Sequence, residues 1–390
     1  MIKNKINIVI GVSSSGKSTF IKEKFGKEKI CFANRLKKIE DLPNSNNIVL
    51  HINLLRWVNG EKDISKEILN KFRDNIQVFV MIDYKSEILK RILLRTSEQE
   101  KLEKIRVYPN RKVFSEVSMF YEFIYQELFQ MLIELKIDMK IIHSTCHTNI
   151  NLAEAENIIK NNNFKVSLTK DDREKMLSYC NFSYTKSKIK DGNIKVNHDL
   201  QSRLDFIFNK IISTHCENQL ESLIDIGCDS GLFCFEAEKC GFKKIVGTEL
   251  KEERFLNANI LKLVNNSIVN FSTTNIFVDN YKEQFDVVLL LNVIHHLKYP
   301  IYSLDKISQI CKKCAIIEFP TLSDIKFQDT TTSSLEHGPY IGVSLSVKDQ
   351  SFVFSKLAIK RIIENYNMFR EVKFYESPTN PGRIIAVCIK

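Results

Sequence analysis

The chain has 390 residues, of which 44% are hydrophobic and 27% are charged. This composition excludes a disordered or fibrous protein, and the length predicts two globular domains rather than one. The net charge is +10, and residues 1–165 carry +8 of it because they hold 28 Lys and Arg against 20 Asp and Glu. Such a surplus favours polyanionic partners, namely nucleotides, nucleic acid or anionic polymers, although solvated faces of a Lys-rich sequence give the same count.

The sequence has no apolar run of the roughly twenty residues that a membrane-spanning helix needs. The apolar stretch at residues 6–10 is too short for a secretory signal. The 10 cysteines are scattered and show no disulfide framework, as is common for reduced thiols. We therefore expect a cytoplasmic protein without a membrane span, whose oligomeric state the sequence leaves open.

Strand-like runs alternate with amphipathic stretches along the chain, which predicts an α/β fold with two doubly wound domains. Helices are expected after Lys17, Ile64, Lys85 and Arg111, and apolar residues at helical spacing predict one long helix over 114–135. The strands predicted in the first domain are residues 6–10, 30–33, 48–52, 78–83 and 139–143.

Turn-prone asparagines at 161–163 predict the end of the first domain. We expect the first domain at 1–162, a helical linker and cap at 163–215, and the second domain at 216–390. A helix at 356–366 and a closing antiparallel hairpin are expected near the end of the second domain. Its predicted strands are residues 223–226, 245–248, 269–272, 286–291, 315–319, 372–375 and 384–389.

The first motif, G-V-S-S-S-G-K-S, follows the first strand and fits the phosphate-binding loop G-x-x-x-x-G-K-[ST]. In this strand–loop–helix context, backbone N–H groups and a helix N-terminus neutralise phosphate charge. Lys17 is expected to bridge the β- and γ-phosphates of ATP or GTP, and Ser18 to ligate Mg²⁺. The predicted nucleotide-binding residues are Gly11, Ser13, Ser14, Ser15, Gly16, Lys17, Ser18 and Thr19.

The first domain resembles the compact P-loop kinases, in which a lid with arginines follows the fourth strand. The resemblance implies that Arg91 and Arg95 contact the transferring phosphates, with an ordinary basic face as the alternative. Asp83 closes the fourth strand and is a candidate ligand of Mg²⁺-bound water or a strand-end cap. Residues 51–53 read His-Ile-Asn and lack the carboxylate that these kinases use as a base or substrate ligand. Phosphoryl transfer, hydrolysis and a switch function therefore all stay open.

The second motif, D-I-G-C-D-S-G at 225–231, directly follows an apolar strand. It resembles motif I of the class I S-adenosylmethionine-dependent methyltransferases, with Asp229 in place of the middle glycine. The resemblance implies that Glu249, at the end of the next strand, binds both ribose hydroxyls. Residues 270–276 resemble the segment that contacts adenine, and residues 284–297 resemble the strand-four motif. The cofactor-binding residues implied are Asp225, Gly227, Cys228, Gly231, Glu249, Asn275, Ile276 and Asn292.

An NAD-dependent dehydrogenase is the structural competitor, because its loop and acidic residue are similarly placed. The third glycine of G-x-G-x-x-G is missing, however, and N-V-I-H-H-L at 292–297 has no dehydrogenase role. His295 or His296 is a candidate base for a hydroxyl acceptor, and packing is the alternative role for each. Glu318 is a further candidate on the acceptor side. The cap residues that are candidates for binding an anionic substrate are Arg203, Tyr184 and Lys186.

The leading hypothesis is a bifunctional enzyme with an ATP-dependent kinase-like activity and an S-adenosylmethionine-dependent O-methyltransferase activity. Its expected acceptor is a small molecule or glycan, such as a sugar-nucleotide precursor. One alternative is an RNA-modifying methyltransferase whose basic first domain binds or phosphorylates RNA. Another is a methyltransferase with a nucleotide-gated, non-catalytic regulatory domain. The cofactors expected are S-adenosylmethionine, ATP or GTP, and Mg²⁺.

Overall fold

The structure is a computed structural model in which the chain divides into two units, Met1–Met176 (unit 1) and Leu177–Lys390 (unit 2). The residues that it describes are 6–25, 29–32, 48–94, 111–162, 164–180, 188–190, 193–216, 220–279, 281–323, 338–343 and 352–390.

The main sheet of unit 1 consists of β1 (Ile6–Gly11), β2 (Lys29–Phe32), β3 (Ile48–Asn53), β4 (Ile76–Ile82), β5 (Met139–His143) and β6 (Thr148–Ile150). Their order is β2-β3-β1-β4-β5-β6. The first five strands are parallel and correspond to the five predicted ones, whereas β6 runs antiparallel to β5 at the edge. The sequence did not predict β6, because three largely exposed residues give no alternating pattern.

Helices flank this sheet: α1 (Lys17–Phe25), α2 (Lys62–Phe72), α3 (Lys85–Leu94), α4 (Arg111–Glu134), α5 (Leu152–Lys160) and α6 (Lys170–Leu177). The long helix predicted over 114–135 is therefore confirmed as α4. Its Tyr121 and Tyr125 are fully buried, and the Tyr125 hydroxyl donates to the Met81 carbonyl at 2.5 Å. Its aromatic residues thus pack in the core beside the sheet, which matches their helical spacing.

The strands of unit 2 are β7 (Lys188–Lys190), β8 (Asn193–Lys195), β9 (Ser222–Ile226), β10 (Lys244–Thr248), β11 (Asn270–Ser272), β12 (Phe285–Leu291), β13 (Cys311–Pro320), β14 (Ile341–Val343), β15 (Phe352–Phe354), β16 (Glu371–Glu376) and β17 (Arg383–Ile389). Seven of them form one sheet in the order β11-β10-β9-β12-β13-β17-β16. Only β17 is antiparallel to its neighbours β13 and β16. The predicted seven-stranded Rossmann-like sheet, with its closing antiparallel hairpin, is confirmed.

The central strands of this sheet lie in the interior of unit 2. All residues of β9 and β12 are buried, as expected for parallel strands covered on both faces by helices. The covering helices are α7 (His198–Asp205, continued by a π-helical turn at Phe206–Ile212 and by Ser213–His215), α8 (Leu232–Lys239), α9 (Glu252–Asn265), α10 (Pro300–Ile310) and α11 (Lys356–Asn365).

The cap predicted at 163–215 is helical only in part. Helices cover residues 170–177 and 198–215, but β7 and β8 form an antiparallel hairpin with Ile189 opposite Ile194. The sequence did not predict this strand pair.

In both main sheets the chain adds strands first on one side of the sheet's first strand and then on its other side. In unit 2 the chain adds β10 and β11 on one side of β9 and then returns to place β12 on the other side. In unit 1 the same reversal puts β3 and β4 on opposite sides of β1. Such reversals leave a crevice at the carboxyl ends of the strands, which is where open α/β sheets bind ligands.

Within the described part of the chain, no helix is both long enough and apolar enough to cross a bilayer.

Candidate functional site

The turn after β9 depends on two glycines with left-handed backbone conformations. Gly227 has φ +73° and Gly231 has φ +79°, and a Cβ on Gly231 would lie 2.4 Å from Phe271 Cζ. The N–H groups of Gly227 and Cys228 donate to the Thr248 carbonyl at 2.8 and 3.0 Å, which holds the turn against the end of β10. The predicted turn residues therefore lie at the sheet's reversal, and the side chains of Val293 and Phe271 occupy the space that a Cβ on Gly227 or Gly231 would need.

Glu249 links the ends of β9 and β10. Its Oε2 accepts the N–H of Asp229 at 3.0 Å and its Oε1 accepts the N–H of Lys251 at 2.8 Å, while its residue surface is only 6% exposed. A carboxylate oxygen has room for more than one donor. Glu249 can therefore accept ligand hydroxyls while it holds the turn.

The carboxylates beneath the turn are close enough to influence one another. Burial raises the pKa of Asp225 to about 7, the charge of Glu249 adds to the rise, and the charge of Arg203 opposes it. Burial also raises the pKa of Asp229, with the Arg254 charge opposing. The Oδ2 of Asp229 is buried and accepts no hydrogen bond from the described residues. This pocket therefore favours positively charged or hydrogen-bond-donating groups.

Asn275 and Ile276 follow β11 at the same edge. The Asn275 side chain accepts the Phe277 N–H at 3.2 Å, and the Asp279 carboxylate accepts the Asn275 N–H at 2.8 Å. Ile276 is 3% exposed and belongs to the core. Asn275 thus caps its own turn, and Asp279, which the sequence did not single out, supplies a carboxylate beside it.

The two candidate histidines lie in the segment after β12 and differ in burial. His295 is 4% exposed and His296 is exposed, although their ring centroids are only 4.1 Å apart. Asn292 has a left-handed backbone with φ +61°, and its side-chain oxygen accepts a hydrogen bond from Arg383. Asn292 therefore turns the chain at the strand tip, and Arg383 fixes that turn.

Glu318, at the end of β13, is fully buried. It accepts hydrogen bonds from Arg203 and, at 2.7 Å, from the Ser377 hydroxyl. The sequence proposed Glu318 and Arg203 separately and did not pair them. Arg383 and Ser377 were missed, because they flank an antiparallel strand far along the chain and belong to no motif. Tyr184 and Lys186 lie outside the described residues.

In unit 1 the motif at 11–18 connects β1 to α1. Ser14 and Gly16 have left-handed backbones with φ +61° and +83°. The Lys17 amine donates to the Gly11 carbonyl at 2.9 Å and also to the Val12 carbonyl. Burial lowers the pKa of Lys17 to about 7. Ser18 and Thr19, the next two predicted residues, are exposed at the start of α1.

The end of β3 reaches this loop through an amide. The Asn53 side chain donates to the Ser13 hydroxyl at 3.0 Å. Burial lowers the pKa of His51 to about 4, and the Lys17 charge contributes. The strand end that was predicted to lack a carboxylate therefore presents a neutral histidine and an amide to the loop.

Asp83 lies next to the loop at the end of β4. It is fully buried and accepts hydrogen bonds from Arg91, Ser144 and Thr145 at 2.7, 2.7 and 2.5 Å. Burial alone would raise the pKa of Asp83, but the bonds from Thr145 and Ser144 and the Arg91 charge lower it. Arg91 also approaches the Ser14 carbonyl at 3.5 Å. The structure thus places Arg91 and Asp83 together beside the loop, whereas Arg95 lies outside the described residues.

No group of three or more His, Cys, Asp or Glu side chains that could hold a metal ion occurs among the described residues. The predicted Mg²⁺ ligand Ser18 lies at the start of α1, and Asp83 follows β4, where it pairs with Arg91.

Parts of the chain are similar to known proteins. Residues 193–368 match the family model described as "Methyltransferase domain". Two curated relatives are both named "tRNA U34 carboxymethyltransferase". The relative from Campylobacter hominis is 25% identical over 113 residues, which cover 29% of this chain and 39% of that protein. The relative from Helicobacter hepaticus is 25% identical over 138 residues, which cover 33% of this chain and 43% of that protein. The chain spans about two fifths of the length of these relatives.

Solved structures also align with about half of the chain. The N-terminal domain of EvdMO1 with SAH bound is 12% identical, with 57% of this chain and 98% of that chain covered and a TM-score of 0.44. Magnesium protoporphyrin IX methyltransferase from Synechocystis PCC 6803 is 12% identical, with 50% and 89% covered and a TM-score of 0.38.

The turn geometry predicts that two matched glycine substitutions lower the unfolding free energy by different amounts. Gly231→Ala and Gly241→Ala both force alanine into a left-handed conformation, which costs roughly 1–2 kcal/mol. Only Gly231→Ala also drives a Cβ into Phe271, since nothing lies within 4 Å of a Cβ on Gly241. We expect Gly231→Ala to lower the unfolding free energy by about 1–3 kcal/mol more than Gly241→Ala. Urea unfolding followed by circular dichroism measures both, and equal losses would contradict the close approach of Phe271.

Proposed function

We propose that unit 2, which contains a class I S-adenosylmethionine-dependent methyltransferase domain, binds its methyl donor across the carboxyl ends of β10, β9 and β12. It transfers the methyl group to an oxygen of an acceptor bound beside β12. The observation that carries this proposal is the Glu249 carboxylate, which holds the turn at 227–231 while keeping capacity for further donors.

The residues at this edge fit the parts of the donor in order. Glu249 accepts the ribose hydroxyls, and Asn275 with Ile276 lies on the adenine side, because β11 is next to β10 in the sheet. Asp225 lies buried beneath the turn, where burial raises its pKa to about 7.

In methyl transfer the main task of the protein is to align the donor with the acceptor. S-adenosylmethionine supplies a methyl group on a sulfonium, which transfers by in-line displacement, so the positions of donor and acceptor decide the rate. A hydroxyl acceptor must also lose a proton, and imidazole is suited to take it near neutral pH. His296 is exposed beside the tip of β12, which supports it as the base. His295 is buried, which supports a packing role.

The acceptor that we propose is a glycan or sugar-nucleotide precursor with a free hydroxyl. RNA is the alternative, and two observations favour it. The relatives from Campylobacter hominis and Helicobacter hepaticus are named for tRNA, and residues 1–165 carry a net +8 (28 Lys and Arg less 20 Asp and Glu). The relatives match only about a third of this chain, so their substrate is not assigned to unit 2.

If Glu249 binds the ribose, Glu249→Ala should selectively lower the affinity for S-adenosylmethionine. Two charge-assisted hydrogen bonds to the ribose disappear, and each is worth roughly 1.5–3 kcal/mol. We expect the affinity for S-adenosylmethionine, measured by titration calorimetry, to fall by at least about 10-fold. The exposed Glu252→Ala is the matched control and should bind normally. Absence of binding by the unsubstituted protein, or unchanged affinity in Glu249→Ala, would contradict the proposed donor site.

A second function, nucleotide binding with phosphoryl transfer, is proposed for unit 1. The loop at 11–18 leaves the first strand at the sheet's reversal, and its Gly16 has the left-handed backbone that such a turn requires. Lys17 is anchored on the loop carbonyls, from which its amine can turn to bind phosphate. Ser18 would ligate Mg²⁺, and Asp83 would hold either Arg91, as in this structure, or metal-bound water. These features support ATP or GTP as the ligand.

Lys17→Ala tests the role of unit 1 in two steps. The substitution removes the cation that binds phosphate, so ATP affinity should fall by at least about 10-fold, whereas Lys22→Ala on the exposed face of α1 should bind ATP normally. Protein, ATP and S-adenosylmethionine are then incubated with sugar nucleotides or RNA, and the products are analysed by mass spectrometry.

We expect added phosphate and methyl masses on one sugar-containing product, with Lys17→Ala losing the phosphate alone. Loss of methylation alone in Lys17→Ala would indicate nucleotide gating instead. Methylated nucleosides would favour the RNA alternative. Normal ATP binding by Lys17→Ala would contradict the role of the loop.

A further inference from the structure

Arg203 reaches from the helix that precedes the sheet to the carboxyl edge of the sheet itself. It lies in α7, which comes before β9, and its Nη2 binds the Oε2 of Glu318 at the end of β13. Its guanidinium carbon also lies 5.4 Å from the centre of the Phe233 ring, which follows the turn at 227–231. The guanidinium therefore contacts one residue that follows β9 and one near the end of β13, and β12 lies between those strands.

Glu318 fixes the position of this guanidinium. The Glu318 side chain is fully buried, and its other oxygen accepts hydrogen bonds from Ser377 at 2.7 Å and from Asn380 at 3.4 Å. A buried carboxylate needs a cation and several hydrogen bonds to offset its desolvation. Arg203 supplies the cation, so its side chain is held in one place rather than free on the surface.

The held guanidinium keeps donors for a further partner. A guanidinium carries five N–H donors in a rigid fork that matches the two oxygens of a carboxylate or phosphate. The contact with Glu318 uses Nη2, and the Arg203 side chain is 18% exposed. A ligand in the crevice can therefore reach the remaining N–H groups. Stacking on Phe233 restricts rotation of the fork and lowers the entropy cost of binding.

We propose that Arg203, positioned by Glu318, binds an oxyanion of a ligand in the methyl-transfer crevice. This inference rests on the proposed function of unit 2. The oxyanion has two possible sources, the carboxylate of the donor's methionine moiety and a phosphate or carboxylate of the acceptor. Both present two oxygens to the same fork, so the chemistry is shared and the source is decided by experiment.

The test compares ligands with and without the amino-acid part that bears the carboxylate. S-adenosylhomocysteine carries the amino-acid carboxylate, whereas 5′-methylthioadenosine keeps the nucleoside and lacks that carboxylate. Titration calorimetry of both ligands is performed on the full chain, on Arg203→Gln and Arg203→Lys, and on Arg361→Gln as a control on an exposed arginine of α11. Binding of inorganic phosphate to the protein saturated with S-adenosylhomocysteine forms the second arm. Thermal unfolding checks that each variant is folded.

If the donor carboxylate is the partner, Arg203→Gln should lower the affinity for S-adenosylhomocysteine by about 10- to 100-fold and leave that for 5′-methylthioadenosine unchanged. Arg203→Lys should recover part of the loss, because it keeps the charge without the fork. If the acceptor is the partner, Arg203→Gln should abolish phosphate binding and leave both nucleoside affinities unchanged. Arg361→Gln should behave as the unsubstituted protein in both arms.

Equal losses for both nucleosides would show a structural role and overturn the inference, as would no change in either arm. In both of those cases S-adenosylhomocysteine still binds the unsubstituted protein, so the proposed function stands. Failure of the unsubstituted protein to bind S-adenosylhomocysteine would instead contradict the proposed function and the inference together.

Discussion

The hydrogen bonds from the backbone of Asp229 and Lys251 to the Glu249 carboxylate are the interaction on which the site of unit 2 depends. They join the ends of β9 and β10 at the place where the sheet reverses its direction of growth. The left-handed backbones of Gly227 and Gly231 give the turn the shape that brings the Asp229 N–H to this carboxylate. A buried carboxylate is costly unless it is hydrogen-bonded, so the same contacts that shape the turn also offset the burial of Glu249.

Both units place their motifs by the same topological constraint. A reversal beside the first strand leaves a crevice at the carboxyl edge, and the loop after that strand borders it. In unit 1 this loop holds Lys17 against its own carbonyls and lies beside the Asp83–Arg91 ion pair. In unit 2 it contacts Glu249 instead. The loop of unit 1 thus holds a lysine, whereas the loop of unit 2 lies against a carboxylate.

The sequence predicted what local patterns encode and missed what distant segments bring together. Continuous apolar runs identified the strands of both main sheets except β6, and the glycine motifs located the turns, because period and turn chemistry are local properties. The pairing of β7 with β8 was not predicted. The pairing of Arg203 with Glu318 joins residues more than a hundred positions apart. No single-sequence pattern encodes such a contact, so its members appeared only as separate candidates.

The central claim is that the carboxyl edge of β9 and β10 holds the nucleoside of the methyl donor. A crystal structure of the full chain grown with S-adenosylhomocysteine tests it most directly. The account predicts ribose hydroxyls within hydrogen-bond distance of the Glu249 carboxylate, adenine beside Asn275 and Ile276, and no displacement of the turn at 227–231. Binding of the nucleoside at any other edge, or at the loop of residues 11–18, would contradict it.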